Sequence, residues 1–591
     1  MKSRRLPALC RLASRRLWST APLVLLSAAL PATAHADTAT VTIEGQPPGS
    51  LTGKRIIIDP GHGIYYHPTY GWLFQRDPIN GLHEDKHTNE IVMDWLRPQL
   101  EGAGARVLAT RSPHRQTVSI IVDESDPGYS ETGTWTKSTN PGLGYRGSYR
   151  YAVVSPDKST ATATFSTSLP ERGEYPVWVY YYAGADRSQG ARFIIKHAGG
   201  STTVRVNQQQ DRQRWVYLGT YPFVKEQPAT VTLDNQDAAA PAGVETLVIA
   251  DAVRFGVGMG DLVHDGKTSG QARWVEESYY YMLDHGAPES VYKTRMTERD
   301  SGLVSRPLYA DWQGGDAFVS IHTNAADMPN VGSGLSTYIH STKPSAGSDL
   351  LQRAIHDELL RTTRQLYVPT FKDRGKLSAD FAVVRETKTM PAVLLELAFH
   401  DTEKPDAELL RSPKYRRDLS RAIYKGVLRH LRPGAKVTPL APTILEAKTV
   451  AEGEVRVRWQ PQADPLEPDA TATSYRLFLQ RGDYGFGSPV TVSGTEYTVT
   501  GLHAGDAVAF AVRAVNAGGE SLSSEPLALV VAKPEPTPQP MPMPVSPSDS
   551  APDLEASGCG TTQARPRTGW WALPLLLIAP LLPLRRRRKR A

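Results

Sequence analysis

Lys54-Arg55-Ile56-Ile57-Ile58-Asp59-Pro60-Gly61-His62-Gly63 is the stretch that decides the fold of this 591-residue chain. Three consecutive isoleucines leave no polar face, so the strand they predict is covered on both sides, as in a parallel sheet. It runs into a Gly-rich turn, which is where open α/β sheets receive ligands. Working outward, 89–100 carries Ile91, Val92, Trp95, Leu96 and Leu100 at helical spacing. Gly102 and Gly104 punctuate its end, and 106–110 reads as a second strand. The same grammar resumes far downstream. Helices are predicted over 275–283, 303–313 and 418–431, a strand over 290–294, and buried apolar strands over 317–322 and 391–399. Strands alternating with helices predict a mostly parallel sheet with helices on both faces.

Polar residues stand out against this apolar frame. His62 and His322 sit at strand ends, and Glu396 is embedded in Val393-Leu394-Leu395-Glu396-Leu397. A carboxylate inside such a run is costly unless it is paired, protonated or bound to a cation. Histidine and glutamate side chains at strand ends suggest a metal-dependent hydrolase. The two cysteines, Cys10 and Cys559, lie near the chain ends, so any metal in the body is held by His, Asp or Glu.

Between the two α/β portions, 119–256 is β-rich and dense in aromatics, among them Trp135, Tyr149, Trp178, Tyr180, Tyr181, Tyr182 and Trp215. Rings on a surface stack on sugars, whereas rings inside a sandwich form core. Residues 441–533 alternate apolar and polar positions, as in Val455-Arg456-Val457-Arg458-Trp459, and predict a β-sandwich. Proline at every second position from Pro534 to Pro544 predicts an extended spacer over 534–556.

The fold class is therefore multidomain. An α/β catalytic domain at 52–115 and 273–435 is interrupted by an all-β insert at 119–256 and followed by a β-sandwich at 441–533.

The ends read as addresses. Residues 1–36 combine a basic start, an apolar run and Ala34-His35-Ala36, the pattern of a signal peptide. At the other end, Ser557-Gly558-Cys559-Gly560 precedes a polar spacer, an apolar run over 570–584 and a basic cluster over 585–590. That layout resembles the MYXO-CTERM class of sorting signals, which implies an exported protein held at the cell envelope or surface. A plain C-terminal membrane anchor is the other reading of the segment 557–591. The formal charge of +6 resides in these ends, and the interior is left at about −6. The interior therefore lacks the basic composition of a nucleic-acid binder.

Four motifs occur in order: Asp59-Pro60-Gly61-His62-Gly63, Gly81-Leu82-His83-Glu84, Ser320-Ile321-His322-Thr323-Asn324-Ala325, and Met390-Pro391-Ala392-Val393-Leu394-Leu395-Glu396-Leu397-Ala398-Phe399. Together they resemble the amidase_3 family of N-acetylmuramoyl-L-alanine amidases. The resemblance implies Zn2+ held by His62, Glu84 and His322, with Glu396 as general base and acid. It also implies peptidoglycan as substrate. Asp85 competes with Glu84 as third ligand, because Asn89 lies four residues after Asp85 where the family spaces glutamate and asparagine that way. His400-Asp401 stand where the family often has Ser-Asn. His83 and His87 read as solvent or rim residues, and His67 and His340 as structural or rim. The insert resembles golvesin/Xly-type modules through Gly133-x-Trp135, Trp215-x-x-Leu218-Gly219 and Asp251-Ala252-Val253-Arg254-Phe255, which implies glycan contact. The 441–533 segment resembles a fibronectin type III domain. A non-catalytic wall-binding protein and a zinc peptidase acting on stem peptides are the alternative functions.

Overall fold

The computed structural model describes residues 41–533. The expected signal peptide at 1–36, the Pro/Ser-rich spacer at 534–556 and the anchor segment at 557–591 lie outside the described residues. Among the described residues, no helix is long and apolar enough to cross a membrane.

The α/β portion is built on one six-stranded sheet. Its strands are β1 (Arg55–Pro60), β2 (Arg106–Ala109), β3 (Ala317–Asn324), β4 (Leu335–His340), β5 (Asp373–Ala379) and β6 (Ala392–Phe399). They lie in the order β5-β4-β6-β3-β1-β2. All neighbours are parallel except β4 and β6. The isoleucine run behaves as its composition demands. Ile56 and Ile58 join one core with Val319, Ile321, Val393 and Leu395, while Ile57 joins another with Phe318 and Leu394. The period of two sends alternate side chains to opposite faces. One face is covered by α4 (Ser348–Leu366) and α5 (Pro413–Leu431). The other is covered by α2 (Ser278–His285) and α3 (Glu298–Gln313). Helix α1 (Glu84–Ile91) continues through an i→i+5 stretch at Val92–Leu96 to Gly102.

Two predicted elements differ. Residues 290–294 form no strand; a short helical turn, Glu289–Tyr292, follows Pro288 and buries Val291 and Tyr292 against α2 and α3. The apolar run there is only two residues long, too short for a strand buried on both faces, and β2 already flanks β1. The predicted helix over 275–283 is broken. A single turn at Arg273–Val275 gives way to extended Glu276 and Glu277 before α2 begins. That break matters, because Ile64 pairs in parallel with Glu276.

The β-rich insert packs a six-stranded sheet on a four-stranded one. Most of its rings are core: Tyr149, Phe165, Tyr175, Tyr181, Phe193 and Phe255 are all buried. Trp178 and Trp215 are buried as well, and Arg254 between them pairs with Asp284 on α2 at 2.8 Å. Asp211 reaches the sheet edge, 2.6 Å from Arg106 of β2. The segment Val41–Ile43 precedes the first catalytic strand yet pairs antiparallel with Gly200–Val206 of the insert. The sequence reading assigns this segment no structure, since three residues are too few to show a period.

The C-terminal β-sandwich has Trp459, Tyr475, Leu477, Phe510 and Val512 at its centre. It leans on α5 through Arg421–Asp464 at 2.8 Å and Lys425–Glu467 at 3.2 Å.

Candidate metal centre

The site assembles at the ends of β1 and β3 and the start of α1. After Pro60 the chain turns sharply. Gly61 lies so close to the His322 ring that a Cβ there would stand 2.2 Å from its Cε1. His62 adopts φ +62° and Gly63 φ +130°. A left-handed non-glycine residue is strained and persists where its surroundings hold it in place. The clamp is visible. Arg111, wholly buried, donates to the carbonyls of Gly61 (3.0 Å), Asp85 (2.7 Å) and Glu276 (2.9 Å). Thr88 Oγ1 donates to Gly61 O at 3.1 Å.

His62, Glu84 and His322 come together, each buried, with one ligand atom apiece lying within 4.8 Å of the others. Glu84 Oε1 is 3.5 Å from His62 Nε2 and 3.3 Å from His322 Nδ1. Tetrahedral zinc with bonds near ~2.0–2.1 Å sets its ligand atoms about 3.3 Å apart. Two further observations fit a cation. His322 Nε2 is buried without a hydrogen-bond partner. The donor set, two imidazoles and one carboxylate, is that of zinc hydrolases.

The electrostatics agree. Burial pushes the His62 imidazole down to about 4, against the opposing pull of Glu84, so the ring is neutral and available as a ligand. Burial alone would raise the Glu84 carboxyl, but His62 and His322 hold it below the ordinary carboxylate value. Glu396 pairs in register with His322 across β3 and β6, which puts both side chains on one face of the sheet. Its carboxyl is driven well above the usual range, first by burial and then by the Glu84 charge. Its Oε2 has no hydrogen-bond partner.

Asp85 is engaged elsewhere. Its carboxylate accepts the N–H groups of Gly63 at 3.0 Å and Arg76 at 3.1 Å, so it braces the loop that carries His62. Of the two adjacent acids, the geometry brings Glu84 to the histidines. His87 is corrected from its expected place at the rim. It is buried behind the site, where its Nε2 lies 2.9 Å from Thr323 Oγ1, which in turn lies 2.9 Å from His400 Nδ1. Its i+4 spacing from His83 identifies a helix but not which way each residue faces. His83 is half-buried, 3.5 Å from Asp85. His340 is buried beside Asp380 at 3.2 Å, and His67 turns the hairpin formed by Tyr65–His67 and Gly71–Leu73.

Sequence reasoning misses three supporting residues. Arg111 follows a strand end, and an arginine in that place is the one signal the sequence offers for it. Gln75 and Glu277 carry no motif. Their role needs the fold: His62 Nδ1 lies 3.0 Å from Gln75 Oε1, and Gln75 Nε2 donates to Glu277 Oε2 at 3.0 Å.

Comparison with known families now bears on this geometry. Residues 280–429, which contain His322 and Glu396, match the family described as N-acetylmuramoyl-L-alanine amidase, Amidase_3. The chain carries an amidase_3 domain. The matched amidase_3 segment begins after the insert, so His62 and Glu84 lie outside it and join it in space. Residues 120–257 match the Golvesin C-terminal domain, and 440–530 match the fibronectin type III domain. Among curated relatives, the N-acetylmuramoyl-L-alanine amidase CwlM of Bacillus licheniformis is 35% identical over 142 residues, covering 24% of this chain and 50% of that one. A xanthan lyase of Bacillus sp. (strain GL1) is 33% identical over 138 residues, covering 23% of this chain and 14% of that one. The chain thus spans half or less of the length of either relative. Among solved structures, the catalytic domain of the amidase CwlV from Bacillus (Paenibacillus) polymyxa var. colistinus is 27% identical, covering 22% of this chain and 65% of that one, with a TM-score of 0.19.

Proposed function

We propose that this protein is a zinc-dependent peptidoglycan hydrolase that cleaves the amide bond between N-acetylmuramic acid and L-alanine. The observation that carries the reading is the buried cluster of His62, Glu84 and His322, with Glu396 beside it in register. The amidase_3 match and the amidase relatives support the same substrate class. His62, Glu84 and His322 would hold the ion. Zinc, when bound in such a site, acidifies water and polarises an amide carbonyl. The chain's own residues do the rest. Glu396 Oε2 takes the proton of the attacking water and delivers it to the leaving amine nitrogen. The imidazoles of His62 and His322 would supply lone pairs, and the Glu84 carboxylate would offset part of the cation's charge.

In this reading 52–115 and 273–435 form the catalytic domain, 119–256 the golvesin-like insert and 441–533 the fibronectin type III domain. An envelope or extracellular location goes with a wall substrate, with 1–36 exporting the chain and 557–591 tethering it. Glycan contact through the insert rests on the half-buried Tyr145, Tyr180, Tyr182 and Tyr217, since the tryptophans there are core.

The test incubates zinc-loaded protein with purified sacculi and reads the products by mass spectrometry. Stem peptides beginning with free L-alanine are expected. Cleavage inside the stem peptide would make the protein a peptidase. Binding to the wall without soluble product would make it a non-catalytic wall protein.

A further inference from the structure

The amide–carboxyl chain behind His62 reaches a residue that belongs to the return path of the insert. Gln75 is half-buried, and Glu277 is fully buried between the His62 loop and α3. A Cβ on Gly302 would stand 2.5 Å from Glu277 Oε2, and a Cβ on Gly63 would stand 2.7 Å from Glu277 Cα. Both glycines therefore leave room for this one side chain. The backbone is tied in too: Ile64 N–H donates to Val275 O at 3.0 Å, and Glu277 N–H donates to Ile64 O at 3.1 Å.

The hydrogen-bond chemistry is directional. Glu277 Oε2 accepts from the Gln75 amide nitrogen, so the Gln75 amide oxygen faces His62. An amide oxygen only accepts, so Nδ1 of His62 carries the proton that meets it, and Nε2 is left as the nitrogen for a metal. Nε2 faces the Glu84 carboxylate from 3.5 Å, beyond the 3.0 Å at which Nδ1 meets Gln75. Either protonation state of Glu277 leaves an oxygen to accept from Gln75, so the relay keeps its direction. Partners of this kind fix the tautomer and the ring orientation of metal-binding histidines.

We infer that Glu277 is a positioning residue for the metal centre: through Gln75 it sets the His62 tautomer, so the strand leaving the insert is a working part of the zinc site. The inference rests on the proposed zinc site for its purpose, while the tautomer itself is measurable without metal.

The full chain, labelled with 15N-histidine and freed of metal, is read by long-range 1H–15N correlation. The parent is expected to show His62 protonated on Nδ1. Gln75→Leu and Glu277→Leu should move the proton toward Nε2, while Glu277→Gln, which keeps an acceptor oxygen, should stay close to the parent. Titration with Zn2+ against a chromogenic chelator should then show about 10–100-fold weaker binding in the two leucine variants. The double variant should bind no more weakly than Gln75→Leu alone, because Glu277 acts through Gln75. An Nε2–H parent, an unchanged tautomer in both leucine variants, or additive losses in the double variant would each overturn the inference. Should the parent take up no Zn2+ while the tautomer still shifts, the proposed function fails and the relay stands. Gln75→Leu, at a half-buried position, keeps the test sound if Glu277→Leu folds poorly.

Discussion

The golvesin-like insert and the fibronectin type III domain are both β-sandwiches joined to the amidase_3 domain, yet they attach to it differently. The insert leaves after Ser112 and returns at Trp274, and Asn89 Nδ2 donates to the carbonyls of both residues at 2.9 Å. Arg111 binds the returning strand to the His62 loop. The fibronectin domain instead meets the α/β portion away from the site, on α5 through ion pairs such as Arg421–Asp464 and beside Gly102 through Ser50 N–H to Gly518 O at 3.1 Å. A module spliced into a catalytic loop becomes part of the site's scaffold, while one appended after the last helix packs on the domain at a distance from the site.

Four experiments press on this contrast. The largest effect sets the scale: Glu396→Gln should lower turnover about 10²–10⁴-fold while leaving Zn2+ content unchanged. Near-parent rates would remove Glu396 from the mechanism. Next, Arg111→Leu strips donors from buried carbonyls on both sides of the splice. It should cost about 3 kcal/mol in urea denaturation and weaken Zn2+ uptake. If it costs stability alone, the splice and the site are not coupled.

Glu276, on the same returning strand, tests pH. Its carboxyl is pushed up to about 7, chiefly by burial and against its hydrogen bond from Ser269. The folded value exceeds the unfolded one, so its contribution to stability is complete below about pH 4.5 and is lost as pH rises through about 7. Glu276→Gln should therefore gain on the parent by about 3 kcal/mol at alkaline pH and little at acid pH. An equal shift in thermal melts at both ends would refute the assignment. The smallest effect belongs to the appended module. Asp464→Ala removes the carboxylate partner of Arg421, which keeps its bond to the Thr438 carbonyl, and should cost about 1–2 kcal/mol with Zn2+ affinity unchanged. A drop in Zn2+ affinity there would erase the distinction between the two modules.

How far the sequence reads depends on how far apart the deciding residues lie. Strands β1, β3 and β6 are legible because a continuous apolar run buried on both faces has few other uses, and the histidines and Glu396 stand out against those runs. The choice between Glu84 and Asp85 is not, because both open the same helix and only its orientation over the sheet separates them. His87 fails for the same reason. Glu277 is invisible in one dimension: it lies 202 residues from Gln75, inside the stretch 275–283 that reads as a helix. The 290–294 strand misleads because Val291 and Tyr292 are buried by helices, where two apolar residues suffice.

The small pairing of Val41–Ile43 with Gly200–Val206 has a practical reach. Among the described residues it makes the path of the polypeptide a stitch, from the golvesin-like sandwich into the amidase_3 sheet, back, and out again. Excising the insert by joining Ser112 to Trp274 would strand Val41–Ile43, and trimming Val41–Ile43 would bare Gly200–Val206 as the edge of the remaining five strands. Exposed edges of that kind invite chain-to-chain pairing. Anyone shortening this protein to a minimal enzyme should remove both pieces together or neither.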